Sequence, residues 1–198
     1  MGIKGGFASA TFLRSQPSAA PLPVGDSPFS SREGWTGGIF AVYPRTGLAA
    51  IQAEALYVMR GASLGKSLAT NVDGDVIGEI ESFHARDDVA LTLLAKLMPA
   101  QGARVSPYVL LGPSLMQELR ERLVISGAVD SSIRTADLRN ADLTLTLGAG
   151  AETALGASRI LLEVRYDRGM INLLDEKRTG GGPKLRTSTW RVMTGFAF

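Results

Sequence analysis

Residues 187–198 read TSTWRVMTGFAF and have the two-residue period of a β-strand. One parity is mainly apolar and the other is small or charged: Trp190, Val192, Thr194, Phe196 and Phe198 alternate with Arg191, Met193, Gly195 and Ala197. A strand that ends on an aromatic residue would leave an aggregation-prone edge in a soluble sheet, whereas the last strand of a closed barrel pairs with the first. This stretch therefore predicts the closing strand of a membrane β-barrel.

The composition is compatible with a single membrane domain of 198 residues. Lysine and arginine number 21 against 19 acidic residues, a net charge of +2 that does not favour nucleic acid as a partner. The mean hydropathy is +0.11, yet no apolar run approaches the about 18 residues of a spanning helix. The absence of cysteine suits an oxidising compartment. The first residues, MGIKGGFASATF, alternate without a continuous apolar run, so we expect no signal peptide within this chain.

Eight segments have strand character, and the connections between them alternate between long and short. The segments are residues 2–12, 34–43, 48–60, 86–97, 103–115, 141–153, 158–173 and 187–198. Long polar loops are expected at about 13–33, 61–83, 117–139 and 174–184, and tight turns at 44–47, 98–102 and 154–157. Within 117–139, MQELRERL suits either a helical turn or an extension of the strands. The sequence predicts one domain over residues 1–198, an all-β, eight-stranded antiparallel up-and-down transmembrane β-barrel.

The positions of the glycines indicate which strand face lines the interior. Gly148 and Gly150 share their parity with Glu152, opposite a face of leucines. A solvent-exposed face has no need of glycine, whereas a narrow lumen needs small residues beside long charged ones. We therefore expect the charged face inside and the apolar face against lipid. The second strand, WTGGIFAVY, is apolar on both parities and its faces stay unassigned.

The predicted lumen carries charges of both signs on six strands, and they have two interpretations. The set is Lys4, Gln52, Glu54, Lys96, Glu152, Glu163, Arg165 and Arg191. Buried charges must pair, because an unpaired one costs several kcal/mol. The residues favour a salt-bridge network that fills the lumen over an ion or proton path, which stays the alternative. None is predicted to be catalytic.

Aromatic residues towards the strand ends are expected at the two membrane interfaces, in contact with outer-membrane lipid. They are Tyr43, Tyr57, Tyr166, Trp190 and Phe198.

Several short blocks, in order along the chain, resemble the outer-membrane β-barrel domain family of the PorT type. They are GIKGGF at 2–7, AIQAEALYVMRG at 50–61, VSPYVLLGP at 105–113, LGAGAE at 147–152, LLEVRYDRGMINL at 161–173 and the final GFAF. The fourth strand, DDVALTLLAKLMP, departs from the family pattern. The resemblance implies an eight-stranded barrel in the bacterial outer membrane and no particular activity.

Three other features of the sequence are candidates for reactive or binding sites. His84 is the single histidine, and Ser82, Asp87 and Asp88 lie near it, but proximity in a loop does not make a triad. The acidic run NVDGDVIGEIE, with Asn71, Asp73, Asp75, Glu79 and Glu81, lacks the glycine position of a helix-loop-helix calcium site. TGGGPK at 179–184 lacks the spacing of a phosphate loop. We predict no catalytic residue, no metal and no cofactor.

The leading hypothesis is a non-enzymatic integral outer-membrane barrel of structural or interaction type, with other envelope proteins as partners, including membership of a larger envelope or secretion complex. A small pore or ligand transporter is the alternative. A lipid-modifying enzyme acting through His84 and a soluble ligand-binding barrel are further hypotheses.

Overall fold

The computed structural model describes residues 1–14, 30–44, 47–70, 76–99, 104–127, 131–133, 140–171 and 185–198. These residues form nine strands and, within the ranges just given, no helix long and apolar enough to cross a membrane. The strands are β1 (Gly2–Arg14), β2 (Ser30–Tyr43), β3 (Ala49–Thr70), β4 (Val76–Leu97), β5 (Val105–Gly127), β6 (Ser131–Ile133), β7 (Ala141–Leu155), β8 (Ser158–Gly169) and β9 (Leu185–Ala197).

Eight of the strands close into an antiparallel barrel, which confirms the predicted fold class. The sheet order is β4-β3-β2-β1-β9-β8-β7-β5, and pairing between β4 and β5 completes the circle. The first and last strands meet along β1 and β9, from Gly2 opposite Ala197 to Arg14 opposite Leu185. The three-residue β6 adds only to the outer part of β5.

The short turns lie at one end of the barrel. Leu155 pairs with Ser158, so only Gly156 and Ala157 connect β7 to β8. Gly156 has a φ of 63°, which glycine adopts without the steric cost of a side chain. We call this the short-turn end, and the opposite one the long-connection end.

At the long-connection end the strands extend further than the sequence predicts. The expected loop 61–83 is wrong for most of its length, because β3 continues to Thr70 and β4 begins at Val76. Likewise β5 runs to Gly127, so MQELRERL extends a strand. The extensions, such as GASLGKSLAT, are small and polar on both parities, and so they lack the period that reveals a half-buried strand. Residues 15–29, within the expected loop 13–33, lie outside the described residues, as does the whole of the expected loop 174–184.

Within the barrel, burial alternates residue by residue. β2, whose faces the sequence left open, turns Thr36 and Phe40 inward and Trp35 and Ile39 outward. On β5, the outward residues at 105, 107, 109, 111, 113 and 115 are all valine, leucine or proline, and Gln117 follows. The ten steps from residue 105 to residue 115 span about 33 Å along the strand. At the usual tilt this is an apolar band about 25 Å high.

Candidate functional site

The barrel interior contains twelve buried charged side chains, six of each sign, and is the strongest candidate site among the described residues. Each is at most 7% exposed. The cations are Lys4, Arg60, Arg86, Lys96, Arg165 and Arg191, and the carboxylates are Glu54, Asp88, Asp142, Glu152, Glu163 and Asp167. These twelve formal charges sum to zero.

Four of these side chains form a closed ring in which every charge contacts two of opposite sign. Lys4 Nζ lies 2.7 Å from Glu54 Oε1 and 3.0 Å from Glu163 Oε2. Arg165 donates from Nη1 to Glu54 Oε2 at 2.6 Å and from Nη2 to Glu163 Oε2 at 2.6 Å. All four side chains are fully buried. We call this set the ion ring.

Neighbouring polar groups hold the carboxylates of the ion ring in place. Gln52 Nε2 donates to Glu54 Oε1 at 2.6 Å, and Tyr108 Oη donates to Glu163 Oε1 at 2.9 Å. Lys4 Nζ also lies 4.5 Å from the centroid of the Phe40 ring, within range of a cation–π contact. Hydrogen bonds of this kind offset the desolvation of buried ions.

A second group occupies the mouth of the barrel at the short-turn end. Glu152 is 2.5 Å from Lys96 Nζ and accepts a further hydrogen bond from Arg159. Lys96 Nζ lies 3.9 Å from the centroid of the Tyr108 ring. The cavity beside them, lined in part by Phe40 and Leu161, has about 20 Å³, room for about one water molecule.

A third group lies towards the long-connection end and is built from arginine and aspartate. Asp88 accepts from Arg60 Nε at 2.7 Å and from Arg86 Nε at 2.9 Å, one bond to each carboxylate oxygen. Arg60 Nη1 reaches Asp142 Oδ2 at 3.4 Å, and Thr187 donates to the same oxygen at 2.6 Å.

Asp167 and Arg191 form a separate pair on the neighbouring strands β8 and β9. Arg191 Nη2 donates to Asp167 Oδ1 at 2.7 Å, and its Nε lies 2.7 Å from Oδ2. Thr146 donates to the same Oδ1 at 2.6 Å.

Apolar side chains fill the interior beside these groups. On β3, Leu56 and Val58 lie between the inward-facing Glu54 and Arg60, and they pack with Met116 and Met193 in one buried cluster. Nearer the short-turn end, Leu94, Met98 and Leu110 pack around Tyr108. An eight-stranded barrel has an interior just wide enough for side chains. The two clusters occupy part of that interior beside the charged groups.

The structure places all eight residues of the predicted lumen set inside the barrel, each buried. It brings Lys4, Gln52, Glu54, Glu163 and Arg165 together, pairs Lys96 with Glu152, and places Arg191 on Asp167. Sequence reasoning missed five other charges: Arg60, Arg86, Asp88, Asp142 and Asp167. Arg60 could have been predicted to face inward, because it lies an even number of residues from Gln52 and Glu54 on the same strand.

The three features considered for other chemistry lie only partly within the described residues. His84 lies in β4, opposite Ala62 and Leu123, and not in a loop. Its neighbour Asp88 is held by two arginines inside the barrel. Among the described residues, no three histidine or acidic side chains are close enough to hold a metal ion. Residues 71–75 of the acidic run, and TGGGPK, lie outside the described residues.

The predicted interface aromatics point outward at both ends of the apolar band. Tyr43 and Phe198, 81% and 60% exposed, are at the short-turn end. At the other end the ring centroids of Tyr166 and Trp190 are 4.9 Å apart. Tyr57 contacts Trp35 at 5.3 Å. Sequence reasoning missed Trp35, because the faces of its strand could not be assigned.

A closed barrel with a polar, packed interior and an apolar outer band rimmed by aromatic residues defines an integral membrane β-barrel. A family model described as "Outer membrane protein beta-barrel domain" matches residues 1–175, and the chain belongs to this family. It is a protein of the bacterial outer membrane, as predicted, and its apolar band faces lipid. A soluble barrel, one of the hypotheses above, is thereby wrong.

Three solved structures are similar to the chain, each over its full length. Ail, the attachment invasion locus protein of Yersinia pestis, solved with the heparin analogue sucrose octasulfate, is 15% identical, with 97% of that chain covered and a TM-score of 0.47. Neisserial surface protein A is 14% identical, with 96% covered and a TM-score of 0.46. OprG from Pseudomonas aeruginosa is 16% identical, with 94% covered and a TM-score of 0.50, a likeness of fold alone. No curated protein matches the chain.

Proposed function

We propose that the chain is a non-enzymatic outer-membrane barrel with a plugged lumen, whose function is to present an interaction surface to another envelope protein. The observation that carries this proposal is the interior, where six buried cations and six buried carboxylates pair and lie beside packed apolar side chains, which supports a closed lumen. Lys4, Gln52, Glu54, Lys96, Glu152, Glu163, Arg165 and Arg191 act as part of the plug. Function then depends on groups outside the lumen.

Among the described residues, the most extensive regular structure outside the apolar band is the extension of β3, β4 and β5. β3 and β4 pair from Gly61 opposite Ala85 to Thr70 opposite Val76. β5 pairs with β4 out to Gly127 opposite Ile80. Ten residues reach about 30 Å along a strand. By contrast, β7 begins at Ala141 and β8 ends at Gly169. A hydrogen-bonded sheet on one side of the rim is a firmer contact surface than separate loops.

Membership of a larger envelope or secretion complex is part of this proposal, and the extension is the surface that would make the contact. Long connections face outward in outer-membrane barrels, so the extension would stand on the cell surface. The aromatic residues at the two ends of the apolar band would lie at the lipid interfaces and fix the depth of the barrel, and thereby the height of the extension: Tyr43, Tyr57, Tyr166, Trp190 and Phe198.

Shortening the β3–β4 hairpin of the extension tests this function directly. Ser63 pairs with Phe83, so replacing residues 64–82 by an Asn-Gly turn shortens the hairpin while keeping strand register. In the native outer membrane, the complete chain should migrate on non-denaturing gels within a larger complex, and the shortened variant as the barrel alone. Both should keep a heat-modifiable band on SDS gels. Migration of the complete chain as a lone barrel would contradict the proposal.

Conductance separates this function from the pore alternative. A plugged barrel should give no ion-current steps in planar bilayers beyond those of detergent alone. Reproducible steps from the purified chain, lost on boiling, would favour the pore or transporter.

A further inference from the structure

The ion ring spans the seam where the barrel closes. Around the seam the strands lie in the order β3-β2-β1-β9-β8. Lys4, on β1, contacts Glu54 two strands away on one side and Glu163 two strands away on the other. Arg165, on β8, pairs through the barrel interior with Glu54 on β3, so this contact joins the first and last strands of the series. No backbone hydrogen bond links strands so far apart.

The alternation of inward and outward side chains does not by itself determine the register between β1 and β9. A slip of one residue would turn every apolar side chain of a strand inward, so parity is strongly specified. A slip of two residues preserves both faces and moves Lys4 about 6.6 Å along its neighbour. At that distance the ring could not form. Only one register brings Lys4 between the two glutamates.

The seam has a second, steric feature that favours the same register. Gly195 lies opposite Lys4, and a Cβ atom on residue 195 would lie 2.9 Å from Lys4 Cβ. After a two-residue slip, Lys4 would face Met193 or Ala197 in place of this glycine. The contribution of the ion ring to the register must therefore be separated by experiment from that of the packing between Lys4 and Gly195.

We propose that the ion ring locks the register of barrel closure between β1 and β9. Buried polar groups can specify one arrangement of elements even where they add little net stability. Here the selected arrangement is the pairing of the first strand with the last. It is the one barrel contact made between strands at opposite ends of the sequence.

The chain contains no cysteine, so a pair of introduced cysteines reports the register unambiguously. Ile3→Cys with Phe196→Cys reports the native register, in which these outward residues oppose each other. Ile3→Cys with Thr194→Cys, and with Phe198→Cys, report slips of two residues in either direction. Opposed Cα atoms about 5.5 Å apart can form a disulfide, and positions two residues removed are too distant. Each pair is oxidised in the full-length chain after assembly into membranes.

Lys4→Met removes the contact of β1 with the ring, and Lys96→Met is its matched control. Lys96 is a buried lysine that also pairs with glutamate and contacts an aromatic ring, but it lies on β4, away from the seam. We expect Lys4→Met to raise the ratio of slipped to native cross-link about tenfold, and Lys96→Met to leave it unchanged.

A double variant keeps the test decisive if Lys4→Met alone fails to assemble. Lys4→Met with Glu54→Gln removes one charge of each sign and leaves Arg165 paired with Glu163 on its own strand, so that no ion pair of the ring crosses the seam. Slipped cross-links in the assembled double variant support the register lock. Native cross-links alone in the assembled double variant overturn it, and the steric match at Gly195 would then set the register.

Discussion

Tyr108 lies opposite Gly150, and its ring occupies the space that a side chain at position 150 would need. A Cβ atom there would lie 2.6 Å from Tyr108 Cζ and 2.6 Å from the carbonyl oxygen of Leu162. The glycine therefore lets Tyr108 reach Glu163, as a narrow lumen requires.

Gly150→Ala should lower the free energy of unfolding by about 1–3 kcal/mol, because both the ring and the backbone resist displacement. Urea unfolding of the barrel in lipid vesicles measures the change. Gly5→Ala is the matched control, since a Cβ atom on outward-facing residue 5 meets its nearest neighbour, Thr36 O, at an ordinary 3.4 Å. We expect that variant to change stability by less than about 0.5 kcal/mol. Equal effects of the two substitutions would contradict this account of Gly150.

Asp88 is the shared partner of two buried arginines, and so its charge is expected to matter more than that of its neighbour in the sequence. Asp88→Asn leaves Arg60 and Arg86 without their common carboxylate and should cost about 3–5 kcal/mol of unfolding free energy. Asp87→Asn makes the same chemical change one residue away, on the opposite, half-exposed face. It should cost less than about 1 kcal/mol. Unfolding midpoints of the two variants, measured in the same lipid, test this difference in stability. Equal midpoints would contradict the shared role of Asp88.

Much of the barrel could be predicted from the sequence, because lipid requires an apolar face that alternates visibly with a polar one. On β8, the apolar Leu162 and Val164 alternate with the charged Glu163 and Arg165. The two faces of this strand can therefore be assigned from its sequence alone. Arg86 and Asp88 were missed because the outward residue between them is also charged. Where lipid no longer imposes the period, as in the extensions of β3 and β4, the strands could not be distinguished from loops.

The pairing of charges could not be predicted, because partners lie on strands that are distant in the sequence. Glu54 and Arg165 are 111 positions apart and meet only through closure of the barrel. The inward position of Phe40 depends likewise on another strand. Its ring covers Gly2 on β1, where a Cβ atom would lie 2.6 Å from the ring. The sequence of one strand predicts which face each residue lies on, whereas the contacts of that residue with other strands follow only from the fold.

The outward leucines of β7 should tolerate charge according to their depth in the membrane. Leu147 and Leu155 are equally exposed, at 57% and 58%, but Leu147 lies at the middle of the strand and Leu155 at its short-turn end. Leu147→Arg should cost about 2–4 kcal/mol and Leu155→Arg about 0–1 kcal/mol. Urea unfolding in vesicles measures both. Equal costs would mean that the apolar band does not span the bilayer as the family assignment requires.

The two tryptophans of the sequence report the position of the barrel in the bilayer. Trp35 and Trp190 are both outward and half-exposed, at 55% and 56%, beside tyrosines at the long-connection end of the band. Indole rings favour the interface between headgroups and acyl chains. In vesicles, lipids brominated near the headgroup should therefore quench their fluorescence more strongly than lipids brominated near the chain ends.

Single-tryptophan variants separate the two emitters. Trp35→Phe leaves Trp190, and Trp190→Phe leaves Trp35, so that each depth is measured alone in a barrel that remains intact by heat-modifiability. If the aromatic residues at this end form one interfacial level, both variants should show the same preference for shallow quenchers. Stronger quenching by deep bromines in both would place the aromatic residues inside the hydrocarbon. The apolar band would then have to extend beyond Trp35 and Trp190, and the extension of β3, β4 and β5 would begin within the membrane.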